Sequence, residues 1–287
     1  MPGGDVRAIL VAVSSADSIA HALAPLRSNP ESAAILFDVD GTLAPIVERA
    51  EEARVSEATR SLLIELTHRY ALVACVSGRR AQEARQMVGI GSIAYIGNHG
   101  AELLGPASTQ VRILDPALAD ARAQIERFAG SLPGAQLRRA RVRVEEKGPV
   151  LALHWRGAAD EAAALALVEE LAQRADAVGL FVHRGRKVLE VRPPVSFDKG
   201  RGVRELIAGA GTGGEPGELY AAAMYVGDDR TDLDAFGALR ELVGEGRLGQ
   251  ACCVAVASEE APPELIEQAD LVLTSVEEVR ELLAGLL

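Results

Sequence analysis

Runs of consecutive apolar residues recur along the chain, and helical periodicity fills several of the gaps between them. Apolar runs of this length are typical of strands that are buried on both faces of a parallel sheet. Strands that alternate with helices predict an α/β fold with a doubly wound parallel sheet. The predicted strands cover residues 33–37, 71–76, 93–96, 222–227, 252–257 and 271–273, and the predicted helices include residues 57–70, 80–88 and 231–243.

The middle of the chain has a different pattern, in which apolar and charged residues alternate over short segments. Such alternation indicates an antiparallel sheet with one solvated face. We therefore predict a core formed by residues 31–107 and 193–287, into which a smaller α+β domain of residues 108–192 is inserted. The short strands and the helix predicted in the insertion lie around residues 141–145, 160–174, 181–182 and 188–191.

The composition narrows the classes of partner. The 287-residue chain carries a formal net charge of −11. An acidic surface argues against nucleic acid or an anionic membrane as a partner. If the substrate is itself an anion, local cations and backbone N–H groups must attract it.

The N-terminal residues and the cysteines bear on where the protein is located in the cell. Residues 1–30 predict a helical N-terminal extension, whose apolar stretch at residues 8–13 is too short to span a membrane. The three cysteines show neither zinc-site spacing nor a disulfide framework, which suits a reducing compartment. We predict a cytoplasmic protein. The glycine-rich residues 209–217 predict a flexible loop.

Acidic residues follow two of the predicted strands. Asp38 and Asp40 follow the first, and Asp228 follows the strand at 222–227. Ligands bind beyond the carboxyl ends of the strands in open α/β sheets, so we expect these carboxylates to converge. Oxygen ligands that leave room for water and phosphate favour magnesium over zinc or calcium. A solvated turn is the simpler interpretation of Asp38 and Asp40 taken alone.

Groups suited to phosphate follow other strands. Ser77 offers a hydroxyl, Gly78 allows close approach of backbone N–H groups, and Lys199 offers a compact positive charge. Each is unremarkable by itself, but together with the carboxylates they predict a phosphoryl-transfer site. Thr231 and Asp234 also fit a capping box for the helix that follows Asp228.

These residues occur in an order that resembles the haloacid dehalogenase (HAD) superfamily, which implies a HAD-like core with an inserted cap domain. The matching positions are Asp38, Asp40, Gly41, Thr42, Ser77, Lys199, Gly227, Asp228, Asp229 and Asp232.

Eight blocks carry a narrower resemblance: residues 38–46, 77–79, 97–102, 145–147, 153–156, 190–193, 199–200 and 227–236. Together they resemble the trehalose-6-phosphate phosphatases. Members of this family usually carry an acid where Leu233 stands. That difference leaves the metal ligands intact. It puts in doubt a contact that either caps a helix or supports the metal ligands from behind.

The resemblance implies a Mg²⁺-dependent phosphatase that hydrolyses trehalose 6-phosphate through an aspartyl phosphate on Asp38. Asp40 would act as acid and then as base, and Mg²⁺ would bind Asp38, Asp228 and the backbone carbonyl of Asp40. Asp229 and Asp232 would orient Lys199 or the metal waters. The phosphate-binding residues would be Gly41, Thr42, Ser77, Gly78 and Lys199, and the sugar-binding candidates are Arg79, His99, Glu145, Lys147, Glu190 and Arg192.

Several alternatives remain open at this stage. A related phosphatase could act on glucosylglycerol phosphate, mannosyl-phosphoglycerate or another sugar phosphate. A signalling receiver also has a phosphoacceptor Asp, an acidic metal site and a Lys, but it is much shorter and lacks a large insertion. An inactive phosphatase-like module would bind only a partner. The resemblance is compatible with a functional link to a trehalose-phosphate synthase.

Overall fold

The computed structural model describes residues 14–47, 52–114, 116–147, 150–185, 187–195, 197–209, 219–258 and 261–287. Its strands are β1 (Ala33–Phe37), β2 (Leu72–Val76), β3 (Ala94–Gly97), β4 (Glu102–Leu104), β5 (Val111–Ile113), β6 (Arg143–Lys147), β7 (Val150–His154), β8 (Phe181–Gly185), β9 (Val188–Arg192), β10 (Tyr220–Gly227), β11 (Leu248–Val256) and β12 (Leu271–Leu273). Its helices are α1 (Ala16–Ser28), α2 (Glu57–Thr67), α3 (Ala81–Val88), α4 (Pro116–Gly130), α5 (Gly134–Arg139), α6 (Glu161–Ala177), α7 (Lys199–Ile207), α8 (Asp232–Gly244), α9 (Pro263–Glu267) and α10 (Val276–Leu286).

The larger sheet has eight strands in the order β12-β11-β10-β1-β2-β3-β4-β5. The first six are parallel, and β4 and β5 add an antiparallel edge. The predicted α/β fold with a parallel sheet is confirmed. β5 pairs with β4 in this sheet, although its residues fall inside the predicted insertion, so the smaller sheet begins later than residue 108.

Helices cover both faces of the larger sheet, and the side chains of each strand alternate between the two layers. In β1, Ile35 and Phe37 face the layer that contains α1, α2, α3 and α10, whereas Leu36 faces α7, α8 and α9. All five residues of β1 are buried, which explains its uninterrupted apolar sequence.

Helix α1 belongs to the first of these layers. Ser15 caps its N-terminus by accepting a hydrogen bond from the Ser18 N–H, and Leu23 and Leu26 pack into the core. The predicted N-terminal extension thus contains a helix that covers the sheet over residues 16–28. The rest of the extension, residues 1–13, lies outside the described residues, as does nearly all of the predicted loop at 209–217.

The smaller sheet is antiparallel, with the order β6-β7-β9-β8. Leu151, Leu153, Leu189 and Val191 pack on one face with α4 and α6. The opposite face carries the alternate residues, and we call it the polar cap face. One of its register rows is Glu145, Ala152, Glu190 and His183. Val150 and Arg192 lie on the same face, because they alternate with Leu151 and Val191.

The polar cap face meets the larger domain at a small apolar contact, where Val150 packs against Ala101 and Phe197. The alternating charged and apolar residues of the middle segment therefore separate a helix-covered face from a face turned toward the carboxyl ends of the core strands. Among the described residues, no helix is long and apolar enough to cross a membrane.

Candidate active site

Asp38 begins the turn after β1 and lies at the carboxyl ends of β1 and β10. Asp38 is buried, and its N–H donates to the Val226 carbonyl oxygen of the neighbouring strand at 2.8 Å. Gly41 has φ of +79°, and a β-carbon there would overlap the Asp228 carboxylate. Glycine is required because the backbone turns left-handed and passes directly against that carboxylate.

Asp228 follows β10 and faces Asp38 across the strand ends. The Thr42 hydroxyl donates to Asp228 Oδ1 at 3.3 Å, so this side chain orients a carboxylate. Burial, followed by the neighbouring charges of Asp232 and Asp229, raises the pKa of Asp228 to about 7. Burial also raises the pKa of Asp38 well above its ordinary value, although Lys199 opposes the shift. These shifts are those expected of buried carboxylates that lie close to one another.

Three carboxylates could hold a metal ion between them: ligand oxygens of Asp38, Asp228 and Asp232 lie within 4.8 Å of one another. Asp232, however, already accepts four hydrogen bonds. Its Oδ1 accepts from Lys199 Nζ and the Tyr225 hydroxyl, both at 2.7 Å, and its Oδ2 accepts from the N–H groups of Asp228 and Asp229, both at 2.9 Å. Because a carboxylate offers about four lone-pair sites, Asp38 and Asp228 are the carboxylates left for a cation.

Lys199 opens α7 and is only 1% exposed. Its Nζ lies 2.7 Å from Asp232, 3.1 Å from Asp38 and 3.7 Å from Asp229. Burial alone would lower the pKa of Lys199, but these three carboxylates raise it above its ordinary value. The buried ammonium therefore remains charged and reaches the Asp38 carboxylate.

The residues after Asp228 differ from the predicted capping box. The side chain of Thr231 makes no cap hydrogen bond to α8. Its hydroxyl and its N–H both donate to Asp229 Oδ1, at 2.6 and 2.8 Å. The capping prediction is wrong because Asp229, two residues earlier, captures both groups of Thr231. Asp229 is thereby fixed beside Lys199.

The turn after β2 forms the opposite wall of the site. Ser77 is fully buried, and its hydroxyl oxygen accepts the Arg79 N–H at 3.1 Å. The Arg79 guanidinium binds both oxygens of Asp40, at 2.5 and 2.7 Å. Arg79 was expected to contact a sugar, but here it holds the carboxylate of the expected acid–base residue.

The segment after β3 supports this wall through a strained turn. Asn98 and His99 both have positive φ, of 47° and 52°, which is costly for residues other than glycine. Their N–H groups donate to the Arg79 and Ser77 carbonyl oxygens. The buried Glu102 carboxylate accepts from the Asn98 side chain at 2.8 Å and from the Ala81 N–H at 3.0 Å, which ties this turn to the start of α3.

His99 lies between this turn and the polar cap face. A β-carbon on Gly78 would come within 2.6 Å of the His99 ring, so the glycine admits the imidazole. The buried Nδ1 of His99 has no hydrogen-bond partner among the described residues. Burial, Lys199 and Arg192 lower the pKa of His99 to about 4, whereas Glu190 opposes the shift. The imidazole is therefore neutral near pH 7.

Two pairs of polar side chains contact each other on the polar cap face. Arg192 donates to Glu190 Oε2 at 2.5 and 3.1 Å and lies over the Phe197 ring at 5.9 Å from its centroid. His154 Nε2 lies 2.8 Å from Glu145 Oε2. Lys147 lies in β6, but its side chain is outside the described part of the structure.

Two supporting residues were missed from the sequence. Tyr225 lies in an apolar strand and was interpreted only as core, because no periodicity distinguishes a tyrosine whose hydroxyl is used. Glu102 could have been recognised from the sequence, because it is an acid beside the apolar pair Leu103 and Leu104. A buried acid in such a strand indicates a specific set of donors.

Comparisons with known proteins agree with this arrangement. The profile of the family described as Trehalose-phosphatase matches residues 36–265. A trehalose-phosphate phosphatase of Mycobacterium marinum is 36% identical over 214 residues, which are 72% of this chain and 51% of that protein. Probable trehalose-phosphate phosphatase 4 of Oryza sativa subsp. japonica is 32% identical over 216 residues, 75% of this chain and 58% of that protein.

Solved structures share the fold. The C-terminal domain of trehalose-6-phosphate phosphatase from C. albicans has a TM-score of 0.66 at 23% identity and covers 96% of this chain and 97% of that chain. The chain spans about half the length of the curated relatives it matches. Because the family profile covers most of its residues, the chain belongs to the trehalose-phosphatase family.

Proposed function

We propose that this protein is a Mg²⁺-dependent phosphatase that hydrolyses trehalose 6-phosphate to trehalose and phosphate through an aspartyl phosphate on Asp38. The observation that carries the proposal is the position of Asp38: its Oδ1 is 3.1 Å from the buried Lys199 Nζ, and its carboxylate shares a ligand cluster with Asp228. A nucleophile, a cation site and a fixed positive charge are what transfer of a phosphoryl group requires.

The residues present fit a hard divalent cation. Their ligand atoms are all oxygens. Because residue 41 is glycine, no side chain at that position covers the Asp228 carboxylate. In our proposal Asp38, Asp228 and the backbone carbonyl of Asp40 hold Mg²⁺, which neutralises the charge that gathers on carboxylates and phosphate.

In the first step, Asp38 attacks phosphorus and the bond from phosphorus to the sugar oxygen breaks. Asp40 gives its proton to that leaving oxygen, and trehalose departs. Since Asp40 is held by Arg79 in the structure, it must turn away from the guanidinium before this transfer. Ser77 and Lys199 donate hydrogen bonds to the transferring oxygens, where negative charge spreads in the transition state.

In the second step, a water molecule attacks the phosphorus of the aspartyl phosphate. Asp40, now unprotonated, accepts the proton of the water, the bond from phosphorus to Asp38 breaks, and phosphate leaves. Asp38 is thereby regenerated as a carboxylate and Asp40 as an acid. Asp229 and Asp232 keep Lys199 in place through both steps.

We propose that the inserted domain, which the structure builds from α4 to β9, acts as a cap whose polar face selects the leaving group. Glu145 and Glu190 share a register row, and the strand between them carries only Ala152 in that row. Two carboxylates separated by a small residue suit the hydroxyls of a sugar. Closure of such a face over Asp38 excludes bulk water from the attacked phosphorus.

The departure at Leu233 does not disturb the reacting groups. Leu233 is partly buried and packs against the apolar layer that contains α7 and α8. The hydrogen bonds of Asp232 are complete without an acid at position 233. We therefore keep trehalose 6-phosphate as the proposed substrate.

The test is release of phosphate from a panel that contains trehalose 6-phosphate, glucosylglycerol phosphate, mannosyl-phosphoglycerate and p-nitrophenyl phosphate. The proposal expects the highest kcat/KM for trehalose 6-phosphate and loss of turnover after exhaustive chelation. Preference for another sugar phosphate would change the substrate while retaining the chemistry. A long-lived phosphoaspartate without release of phosphate would indicate a receiver, and no reaction at all would indicate a binding module.

A further inference from the structure

One buried side chain outside the predicted site touches the charged network directly. Tyr225 lies two residues before the end of β10 and is fully buried. Its hydroxyl donates to Asp232 Oδ1 at 2.7 Å. The Phe236 ring packs edge-on against it, with ring centroids 6.1 Å apart and an interplanar angle of 81°. Packing therefore fixes the direction in which the hydroxyl points.

The oxygen that Tyr225 contacts is also the oxygen that Lys199 contacts. Lys199 Nζ donates to Asp232 Oδ1 at 2.7 Å, the same distance as the tyrosine hydroxyl. Backbone N–H groups occupy the other oxygen, Oδ2. Tyr225 and Lys199 thus share one acceptor, and the position of each depends on the other.

Lys199 has a choice of carboxylates, because Asp38 lies 3.1 Å away on its other side. If Tyr225 lost its hydroxyl, Asp232 Oδ1 would keep Lys199 as its only side-chain donor. The ammonium would then be drawn toward Asp232 and away from Asp38, where phosphate would bind. Burial, with Asp232 and Asp38 nearby, raises the pKa of Tyr225, so the hydroxyl remains a donor.

We propose that Tyr225 is a positioning residue for Lys199: by sharing Asp232 Oδ1, it keeps the ammonium within reach of a phosphoryl group on Asp38. The inference rests on the proposed phosphatase function. It assigns to a buried tyrosine of β10 a role in the reaction that packing alone would not require.

The chain supplies matched controls for this role. Tyr95 is fully buried in β3, and its hydroxyl donates to the Ile90 carbonyl oxygen at 2.6 Å. Tyr70 is also buried, and its hydroxyl donates to the Leu286 carbonyl oxygen at 2.9 Å. Neither hydroxyl contacts the acidic network. Tyr95→Phe and Tyr70→Phe therefore remove a buried hydrogen bond of similar length without affecting Lys199.

The experiment compares Tyr225→Phe with these two controls in the full chain at saturating Mg²⁺. The midpoint temperature of thermal unfolding should fall by about 2–4 °C in each variant, as expected for loss of one buried hydrogen bond. For Tyr225→Phe alone, kcat should fall about 10-fold with trehalose 6-phosphate and with p-nitrophenyl phosphate, while KM changes less than about twofold. Inhibition by orthovanadate, which imitates the transferring group, should weaken by a similar factor.

A second comparison uses Lys199→Arg, which keeps the positive charge. On that background Tyr225→Phe should lower kcat by less than about twofold, because the residue on which Tyr225 acts has already changed. A full 10-fold loss there, or equal kcat in Tyr225→Phe and Tyr95→Phe, would overturn the inference. A wild-type protein without turnover would instead remove the proposed function itself.

Discussion

The core site and the polar cap face both carry many charges, but they hold them differently. In the core, Lys199 and Asp232 are almost fully buried, and Lys199 makes two contacts shorter than 3.2 Å and Asp232 makes four. On the polar cap face, Glu145 lies 2.8 Å from His154 and 3.7 Å from Arg143, and the Glu145 and Arg143 side chains are 35% and 69% exposed. The buried network suits groups that must not move, and the exposed pairs suit groups that exchange partners with a substrate.

The comparison also concerns energy. A buried charge that loses its partner is costly, whereas an exposed pair is worth about 0–1 kcal/mol. Substitutions in the core site should therefore affect turnover and folding together. Substitutions on the polar cap face should affect substrate choice and leave folding nearly unchanged.

The largest effect is expected for Asp38→Asn. An amide cannot form an acyl phosphate, so kcat should fall by about 10⁴-fold or more for every phosphate ester. Asp17→Asn, at an exposed position of α1, is the control and should retain wild-type activity. Phosphate release and circular dichroism together check this prediction, and a folded Asp38→Asn enzyme with substantial turnover would contradict it.

Lys199→Met should show that turnover and folding are coupled in the core. Removing the ammonium leaves Asp38, Asp229 and Asp232 crowded, so the free energy of unfolding should fall by about 3–5 kcal/mol. The double variant Lys199→Met with Asp232→Asn should recover much of the stability and none of the activity. Denaturant unfolding measures the change in stability. Recovery of turnover in the double variant would show that the reaction does not need the Lys199 ammonium.

On the polar cap face, Glu145→Gln should raise KM for trehalose 6-phosphate by about 10-fold and change KM for p-nitrophenyl phosphate by less than about twofold. Only the sugar ester has hydroxyls for Glu145 to bind. Glu169→Gln is the matched control, because Glu169 pairs with Arg184 away from the polar cap face. Equal changes in KM for both substrates would show that Glu145 does not contact the sugar.

The smallest expected effect concerns the metal-free protein. The pKa of Asp228 rises from 3.8 to about 7 on folding, so the folded state binds the proton more tightly than the unfolded state. Stability of the metal-free protein should therefore fall as pH rises from about 4 to about 7. Asp228→Asn should flatten this fall, add about 1–3 kcal/mol at pH 8, and abolish stabilisation by Mg²⁺.

Thermal unfolding across pH, with and without Mg²⁺, checks the Asp228 prediction. Asp270→Asn provides a control at an exposed acid just before β12, a strand that β11 and β10 separate from β1. A metal-free Asp228→Asn protein that is less stable than wild type at pH 8 would contradict the expected cost of the buried Asp228 charge.

Much of the fold could be predicted, because buried parallel strands leave uninterrupted apolar runs. The strand predicted at 33–37 agrees with β1 at both ends. β11 begins four residues earlier than the strand predicted at 252–257, because Gly249 and Gln250 interrupt the apolar pattern. β4 and β5 were missed because each has three residues, and Glu102 and Arg112 make them polar.

The convergence of Asp38 and Asp228 could be predicted, because both residues follow buried parallel strands whose carboxyl ends meet at one edge of the sheet. Contacts between distant loops could not be predicted, because spacing along the chain does not show which partner a side chain takes. Arg79 could not be assigned to Asp40, 39 residues away, from either turn. The contact of the Tyr225 hydroxyl could not be predicted either, since its partner depends on how α8 packs against β10.

The central claim is that Asp38 carries the phosphoryl group in a site completed by Asp228 and Lys199. Rapid quenching in acid, after mixing the enzyme with trehalose 6-phosphate that has a radioactive phosphoryl group, tests it directly. The account predicts a label that forms only with Mg²⁺, is released by hydroxylamine, and maps to the peptide containing Asp38. Turnover of the substrate with no label on the protein, or with the label on another residue, would contradict the account.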